Sequence, residues 1–424
     1  MPRSSRSVLR PLLVVGFTVA TGGCFDIDFS GLDDAGASNE CFWGCYNWGP
    51  NDIPVIPFES KPTPVAGGLT FSSISVGFGH ACGVSDGAGV YCWGTRDVGT
   101  PGYRDAVSPE SIPGTASLVR ISAGQSFTCG VAQEGGALCW GLNSNGELGT
   151  GEAGPPSPTP TPLQGALAFT TVSAAGASGF APHACGLTAA GAAYCWGHNY
   201  YGQLGNGGTI ASPTPVAVSG GHLFESISVG RQLTCGIVRG GGGAYCWGQA
   251  TDGQLGDDPR DAAGNCAAAG SGALLPCSMT PVRIPGGHTF TTISAGSGYA
   301  CGLDADGVAY CWGANEHGKL GIGTHFWSFT PARVSSSMRF TAIAAGASST
   351  CALSQSRDVF CWGSNNLGQL GDGTTTLNTA PVKVLTDLAF AAIAVGHDEA
   401  CALTPDGVAY CWGSNEHGKL GKGS

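Results

Sequence analysis

Short runs of alternating apolar and small or polar residues, separated by glycine-containing turns, fill most of the chain and predict β-strands. In one such stretch the pattern predicts strands at 290–296, 299–304, 308–313 and 330–334. The first has small side chains that suit a crowded inner position, and the proline in the fourth fits an outer edge. Ala305-Asp306-Gly307 has the composition of a three-residue hairpin loop. Since no helical period is visible, the predicted unit is a four-stranded antiparallel sheet.

This unit recurs seven times, at a period of about fifty residues. Each copy contains the sequence Cys-Trp-Gly and a second cysteine shortly before it. The motif begins at Cys92, Cys139, Cys195, Cys246, Cys311, Cys361 and Cys411. Strand-built units of this length indicate a propeller or a solenoid. A closed ring of seven of them is an all-β fold, a seven-bladed β-propeller of four-stranded antiparallel blades over residues 61–424.

The two ends of the repeat region are expected to close the ring. The seventh unit ends at Ser424, shortly after its Gly418–Gly421 turn, and lacks an outer strand. The sequence at 62–65 matches the outer strand at 212–216, although no blade precedes it. We expect this N-terminal strand to complete the last blade, which leaves no open sheet edge.

The cysteines are expected to form disulfides. Pairing Asp304 with Val308 sets a register that places Cys301 opposite Cys311, and directly opposite residues lie within disulfide range. The same register in every blade, with two local bridges outside the repeat, predicts the pairs Cys82–Cys92, Cys129–Cys139, Cys185–Cys195, Cys235–Cys246, Cys301–Cys311, Cys351–Cys361, Cys401–Cys411, Cys41–Cys45 and Cys266–Cys277. The alternative, zinc held by cysteine pairs, needs four ligands from different blades.

The repeat resembles that of the regulator of chromosome condensation family. The resemblance rests on the order Ser-Ala-Gly, Cys-Ala-Leu, Asp-Gly, Cys-Trp-Gly, Asn, Gly-Gln-Leu-Gly and Pro-x-x-Val over residues 61–424. The first repeat departs from it, because residues 95–99 lack the Gly-Gln-Leu-Gly turn. The resemblance implies a propeller that binds partners. Nuclear members of the family act as exchange factors on a small GTPase, and secreted bacterial propellers of similar repeat inhibit β-lactamases.

The N-terminal residues have the order of an export signal: basic residues, an apolar run at 12–20, and small residues before Cys24. We interpret residues 1–24 as a signal peptide. Two alternatives stay open, lipidation of Cys24 or simple cleavage. Residues 25–60 are acidic and are expected to act as a tether. The predicted location is the cell envelope, as a lipoprotein, or the extracellular space, where disulfides persist.

Charge and motif content narrow the classes of function. The net charge of −11 offers no attraction to phosphate backbones, so nucleic acid is not an expected partner. We expect His80, His183 and His397 to serve turn packing or face solvent rather than bind metal. No catalytic triad order, nucleotide-binding loop or Rossmann pattern is present in a suitable context. We therefore expect no enzyme activity, no cofactor, no metal, a monomer, and membrane contact only through a lipid anchor.

One loop face is the expected binding surface. The turn after the first strand and the loop after the third emerge on the same side of a four-stranded meander, so the variable loops share that side. Its candidate binding residues are Tyr200, Tyr201, Tyr299, His325, Phe326, Trp327 and Phe329. Exposed aromatic clusters are typical interface anchors, although these rings could instead fold back over the blade edge. The leading hypothesis is an exported or surface-anchored module that binds a protein or a glycan. The alternatives are an exchange factor and a β-lactamase inhibitor.

Overall fold

The computed structural model describes residues 56–85, 88–95, 105–175, 182–241, 243–261, 264–267 and 274–423. The expectations for the signal peptide, for Cys24 and for the Cys41–Cys45 bridge lie outside the described residues. The described chain is built of short strands joined by glycine-containing turns. Three short 3-10 turns occur among them, at Pro259–Asp261, Glu316–Gly318 and Glu416–Gly418.

The strands of the described chain repeat in groups of four with one addition. They are β1 (Phe58–Pro64), β2 (Phe71–Val76), β3 (His80–Ser85), β4 (Gly89–Gly94), β5 (Ala106–Ser111), β6 (Leu118–Ala123), β7 (Phe127–Ala132), β8 (Ala137–Gly141), β9 (Ser157–Pro162), β10 (Phe169–Ala174), β11 (His183–Thr188), β12 (Ala193–Gly197), β13 (Ser212–Ala217), β14 (Phe224–Gly230), β15 (Leu233–Val238), β16 (Ala244–Gln249), β17 (Gly264–Ala267), β18 (Leu274–Arg283), β19 (Phe290–Ala295), β20 (Tyr299–Asp304), β21 (Ala309–Gly313), β22 (Ser328–Arg333), β23 (Phe340–Ala345), β24 (Ser349–Ser354), β25 (Val359–Gly363), β26 (Asn378–Lys383), β27 (Ala392–Val395), β28 (Glu399–Leu403) and β29 (Ala409–Ser414).

These strands form seven antiparallel sheets, which we number as blades 1 to 7 along the chain. Blades 1, 2 and 3 are β2-β3-β4-β5, β6-β7-β8-β9 and β10-β11-β12-β13. Blades 5 and 6 are β19-β20-β21-β22 and β23-β24-β25-β26, and blade 7 has the order β27-β28-β29-β1. The inner strands of successive blades contact one another, and β27 contacts β2. The predicted all-β, seven-bladed propeller is confirmed.

Blade 4 differs from the predicted four strands, because it has five in the order β14-β15-β16-β18-β17. The insertion before β18 supplies enough chain to turn back on itself. There β17 pairs antiparallel to the start of β18, with Cys266 opposite Leu275 and Gly264 opposite Cys277. The predicted Cys266–Cys277 disulfide is present and ties the two strands together. The insertion therefore widens the outer edge of this blade.

The predicted register of the middle hairpins is confirmed. In blade 5, Asp304 N–H donates to Val308 O at 3.1 Å, Gly307 has a φ of +75°, and Cys301 lies opposite Cys311. Their Cα atoms are 4.1 Å apart and joined by a disulfide. All seven predicted blade disulfides are present, and each crosses the centre of its sheet.

The ring closes through the N-terminal strand, as predicted. Strand β1 pairs antiparallel to β29, with Thr63 opposite Cys411 and Pro64 opposite Tyr410. The strand begins at Phe58, which lies opposite Ser414. The outer strand of blade 7 therefore comes from the other end of the propeller region, and the ring is fastened by main-chain hydrogen bonds between strands far apart in sequence.

The Gly-x-Leu-Gly turn of one blade holds the Cys-Trp-Gly tryptophan of the next. The turn at 318–321 packs against Trp362, whose Nε1 donates to Lys319 O at 3.0 Å. Six such indole bonds occur in the described residues: Trp93 to Lys419 O, Trp196 to Glu147 O, Trp247 to Gln203 O, Trp312 to Gln254 O, Trp362 to Lys319 O and Trp412 to Gln369 O. All these rings are fully buried. The tryptophan of the Cys-Trp-Gly motif thus links each of these blades to the preceding one.

The inner strands are joined around the central axis by serine side chains. Ser75 Oγ of blade 1 accepts a hydrogen bond from Ala123 N–H of blade 2 at 2.8 Å. The same bond recurs at Ser122–Ala174, Ser173–Val229, Ser228–Ala295 and Ser294–Ala345. Small side chains are therefore needed here for space and, at five of the boundaries, for hydrogen bonding as well.

Candidate functional site on blades 3 to 5

The loops at one end of the blades, which we call the upper face, contain the exposed aromatic residues. In each blade this end comprises the turn after the first strand and the loop after the third strand, since successive antiparallel strands reverse direction. In blade 5 it consists of residues 296–298 and 314–327, and in blade 3 it includes 198–211. The predicted candidates from these two blades are therefore on the same face, with blade 4 between them.

Asn315 fixes the conformation of the aromatic loop of blade 5. Its Oδ1 accepts a hydrogen bond from Leu320 N–H at 2.9 Å, and its Nδ2 donates to Thr324 O and Phe326 O, each at 2.8 Å. These bonds hold the loop against the residues that follow the end of β21. Because the main chain is held on both sides of the turn, the side chains of this loop project from a rigid base.

The rings of this loop face solvent. Phe326 is 80% exposed and Trp327 is 46% exposed, and His325 is also exposed. The ring of Phe326 thus does not fold back onto the blade. Large exposed aromatic side chains on a rigid loop are a common feature of binding sites.

Phe329 belongs to strand β22 rather than to the loop, and part of its ring serves packing between blades. It is 39% exposed. It lies against Gly253 in the turn of blade 4, where a Cβ atom would come within 2.5 Å of the ring. Phe329 therefore contributes less free surface than Phe326.

In blade 3, Tyr200 and Tyr201 start the corresponding loop. Tyr200 is 43% exposed, and its ring packs edge-on against His198 with 4.2 Å between the centroids. Tyr201 is half-buried, and its N–H donates to Gln203 Oε1. Burial lowers the pKa of His198 to about 4, so the ring is neutral at pH 7. Tyr200 is therefore a further exposed aromatic side chain on this face, and it packs against a neutral histidine.

Tyr299 was expected to be a binding residue of this face, and that expectation is wrong because its side chain is buried. Its side chain is fully buried, and its hydroxyl lies within hydrogen-bond distance of Ser349 O, at 2.9 Å, and of Thr350 Oγ1, at 2.8 Å. Burial raises the pKa of the Tyr299 hydroxyl. The residue begins β20 at the position that His80 and His183 hold in β3 and β11. All three side chains are buried at a blade boundary, so these histidines are packing residues.

A polar cleft lies beside the aromatic loop, between blades 4 and 5. It has a volume of about 200 Å³ and is lined by Arg231, Gln249, Asp252, Ser297, Glu316 and Lys319, among others. Burial raises the pKa of the Asp252 carboxyl. The sequence offered one signal for this cleft, because Arg231 and Lys319 are cations at places where most other repeats carry neutral residues. That signal becomes meaningful only when the two blades are seen to be neighbours.

The described residues offer little for nucleophilic or metal chemistry. Asp398 contacts His397 Nδ1 at 2.5 Å and also accepts a hydrogen bond from Ser348. The aspartate thus lies between serine and histidine, whereas a nucleophilic triad needs the histidine in the middle. No group of three or more metal-ligating side chains occurs in the part of the chain that the structure describes. In that part, no helix has the length and apolar character to cross a membrane.

Comparisons with known proteins give a consistent family. A model of the regulator of chromosome condensation (RCC1) repeat matches residues 190–237, 306–353 and 358–403, and a second model of the same repeat matches 118–147, 290–319, 340–369 and 390–419. The ultraviolet-B receptor UVR8 of Arabidopsis thaliana is 28% identical over 145 residues, which cover 34% of this chain and 30% of that protein. The probable E3 ubiquitin-protein ligase HERC6 of Homo sapiens is 30% identical over 134 residues, or 31% of this chain and 12% of that protein. The chain thus matches less than a third of the length of either.

Two solved structures share the fold. Human WBSCR16 superimposes with a TM-score of 0.67 at 18% identity, covering 84% of this chain and 89% of that one. Prp20p from Saccharomyces cerevisiae gives a TM-score of 0.64 at 20% identity, covering 81% and 82%. At this level of identity the likeness concerns the fold.

Proposed function

The chain belongs to the regulator of chromosome condensation (RCC1) repeat family, and from that premise we propose that it is an exported module that binds a protein partner through the upper face of blades 3 to 5. Relatives with this repeat are mainly binding or regulatory proteins. Prp20p from Saccharomyces cerevisiae has binding properties toward Gsp1p and histones. Membership of this family therefore supports protein binding as the proposed function.

The observation that carries the proposal is the rigid display of Phe326. A ring that is 80% exposed costs hydration free energy in the unbound protein, while the Asn315 hydrogen bonds hold its main chain in place. Trp327 and Tyr200 add exposed aromatic surface on the same face. Aromatic residues on a rigid base bind with a small loss of conformational entropy.

Export is proposed from the N-terminal sequence and from the cysteines. Eight disulfides join the described cysteines, and such a number is typical of proteins that fold in an oxidising compartment. The basic residues, the apolar run and Cys24 have the order of an export signal. Metabolic labelling with an alkyne fatty acid tests the lipid anchor. The full chain should incorporate label and Cys24→Ser should not, whereas an unlabelled full chain supports simple cleavage.

The binding surface is tested by partner capture followed by affinity measurement. The full chain is immobilised, envelope extract is passed over it, and the retained protein is identified, purified and titrated against the full chain. The double variant Phe326→Ala/Trp327→Ala should weaken this affinity by at least about thirtyfold, since each aromatic anchor contributes about 1–2 kcal/mol or more.

The matched control is Leu223→Ala. Leu223 is 48% exposed, much as Trp327 is, and lies in the connection between β13 and β14 at the opposite end of the blades. Equal loss for the control and the double variant would assign the effect to general apolar exposure, and unchanged affinity of the double variant would refute the proposed surface. A captured GTPase whose nucleotide exchange accelerates would establish the exchange-factor alternative instead.

A further inference from the structure

We propose that the cleft between blades 4 and 5 binds a neutral sugar ring. This cleft lies within the upper face of blades 3 to 5, but the binding of a single ring in it does not depend on the protein-binding function proposed above. The proposal rests on the balance of charge in the cleft, on its size, on an irregularity in the glutamine network of blade 4, and on the neighbouring aromatic loop.

The charges of the cleft cancel. Lys319 Nζ is committed to Glu316 Oε2 at 2.9 Å and to Ser297 O at 3.0 Å. Arg231 and Asp252 then remain as the charged side chains of the lining that can turn to a ligand. A cation would meet the guanidinium, and an anion would meet the carboxylate. A neutral ligand with many hydroxyl groups avoids both conflicts, because each hydroxyl can donate to Asp252 and accept from Arg231.

Blade 4 lacks a glutamine hydrogen bond that is present in blades 3 and 6. In blade 3, Gln203 Nε2 bonds His198 Nδ1 at 2.8 Å, and in blade 6 the corresponding glutamine bonds Ser364 Oγ. Gln254 holds this position in blade 4, but its buried Nε2 has no hydrogen-bond partner among the described residues. Gln249 stands where His198 and Ser364 stand in the other blades.

This irregularity leaves the amide of Gln249 available to a ligand. Gln254 uses its Oε1 to hold Asp252 N–H at 2.8 Å, and Gln249 lines the cleft instead of accepting from Gln254. The wall therefore presents a carboxylate, a guanidinium and a primary amide together. Each is planar and has two or more polar atoms, so each can bond two adjacent hydroxyls of a ring at once.

The size of the cleft fits one ring. Its volume is about 200 Å³. A pocket of this volume is below the range usual for larger ligands. A longer saccharide would extend out of the cleft over the upper face.

The aromatic loop begins at residues that line the cleft. Asn315 stands between Ala314 and Glu316, both of which line the cleft, and its Nδ2 donates to Phe326 O at 2.8 Å. Trp327 follows and is 46% exposed. The face of an indole is apolar and binds the C–H face of a sugar, as polar side chains bind its hydroxyls.

The test uses the full chain and defined sugars. Glucose, galactose, mannose and N-acetylglucosamine are titrated by saturation-transfer NMR and calorimetry, with glucuronate and glucosamine as charged probes. We expect at least one neutral sugar to bind and to outcompete its charged counterpart. Arg231→Ala, Gln249→Ala and Asp252→Asn should each weaken binding by about tenfold or more, as expected for lost hydrogen bonds to charged or planar groups.

The controls are Arg339→Ala and Asp406→Asn, which change exposed residues in the connections at the opposite end of the blades. They should bind as the full chain does, and all variants should melt at the same temperature. Three results overturn the proposal: no binding of any neutral sugar, preference for a charged sugar, or binding that the three cleft substitutions leave unchanged. Loss of partner binding in Phe326→Ala/Trp327→Ala with intact sugar binding separates the two sites.

Discussion

His80 and Thr128 join blades 1 and 2 through a fully buried hydrogen bond, with 2.7 Å between Nε2 and Oγ1. The same link joins blades 3 and 4 and blades 5 and 6, through His183–Thr234 and Tyr299–Thr350, each at 2.8 Å. Two of the threonines also bond the turn of the preceding blade, because Thr234 Oγ1 donates to Gln203 O and Thr350 Oγ1 to Lys319 O. Six of the seven blades are thus coupled in pairs.

The first prediction concerns the pH dependence of stability at the His80 link. Burial lowers the pKa of His80 from 6.5 to about 4. Between these two values the unfolded chain binds more protons than the folded chain, so the free energy of unfolding falls as the pH is lowered from 6.5 to 4. His80→Tyr places a hydroxyl where the imidazole stood, as Tyr299 does in blade 5, and removes the titration. Between pH 7 and pH 4.5 the variant should lose less stability than the parent, by about 1–3 kcal/mol.

Urea unfolding at the two pH values measures this difference. Other buried acids and bases contribute equally to the parent and the variant, so they cancel in the comparison. His325→Tyr replaces an exposed histidine and is the matched control. A parent and a His80→Tyr variant that lose stability in parallel would show that His80 accepts its proton in the folded state.

The second prediction concerns blade 7, which an odd number of blades leaves without a partner. Glu399 holds the position of His80 and is fully buried. Its Oε2 lies 3.1 Å from Lys419 Nζ, but Oε1 has no hydrogen-bond partner among the described residues. Blade 1 has Ala81 where blade 2 has Thr128, each opposite a tryptophan. Ala81→Thr should therefore supply the missing hydroxyl and raise the free energy of unfolding by about 1 kcal/mol.

Ala184→Thr is the matched control for this gain. Ala184 holds the same position in blade 3, but the preceding blade carries Phe127 in place of a polar partner. The added hydroxyl can donate to Glu147 O, as Thr234 Oγ1 does to Gln203 O, but it has no polar side chain to bond at the Phe127 position, so this variant should gain less stability than Ala81→Thr. Chemical denaturation of both variants decides, and equal effects would refute the pairing of Glu399 with Ala81→Thr.

The third prediction separates the blade disulfides from the bridge in the insertion. Cys301→Ala/Cys311→Ala opens a loop within a buried sheet and should lower the free energy of unfolding by about 2–3 kcal/mol. Cys266→Ala/Cys277→Ala opens the outer hairpin of blade 4, outside the ring, and should leave the main thermal transition within about 2 °C of the parent, since few core contacts depend on it. Calorimetry of both variants measures the difference, and equal shifts would contradict it.

The sequence was sufficient to predict the blades, the register, the blade disulfides and the closure, because all four follow from local patterns. The hairpin at 305–307 fixes Cys301 against Cys311, and the repeat carries that geometry to every blade. The prolines at 62–64 identify an outer strand by themselves. No contact between distant residues had to be known for these steps.

The rest depends on contacts between repeats, which no local pattern encodes. In the sequence, Tyr299 has the position of an exposed aromatic residue next to a turn. In the structure its hydroxyl forms a hydrogen bond with Thr350, one repeat later. Likewise, Arg231 and Lys319 form one cleft only because blades 4 and 5 are adjacent. The strand β17 was missed because its residues, 264–267, have weak strand propensity. It forms by pairing with the edge of β18.

The last prediction tests the contact between a turn glycine and the tryptophan of the next blade. Gly321 has a φ of +70°, and a Cβ atom there would come within 2.5 Å of Trp362 Nε1. Gly321→Ala should push the indole away from Lys319 O and cost about 2–5 kcal/mol, from backbone strain of about 1–2 kcal/mol and overpacking of about 1–3 kcal/mol. Gly287→Ala is the matched control, because Gly287 has a φ of +69° with no atom within 4 Å of the added methyl group. It should lose only the backbone part, about 1–2 kcal/mol. Urea unfolding monitored by tryptophan fluorescence measures both, and losses of equal size would show that the indole contact adds nothing to the adhesion between blades.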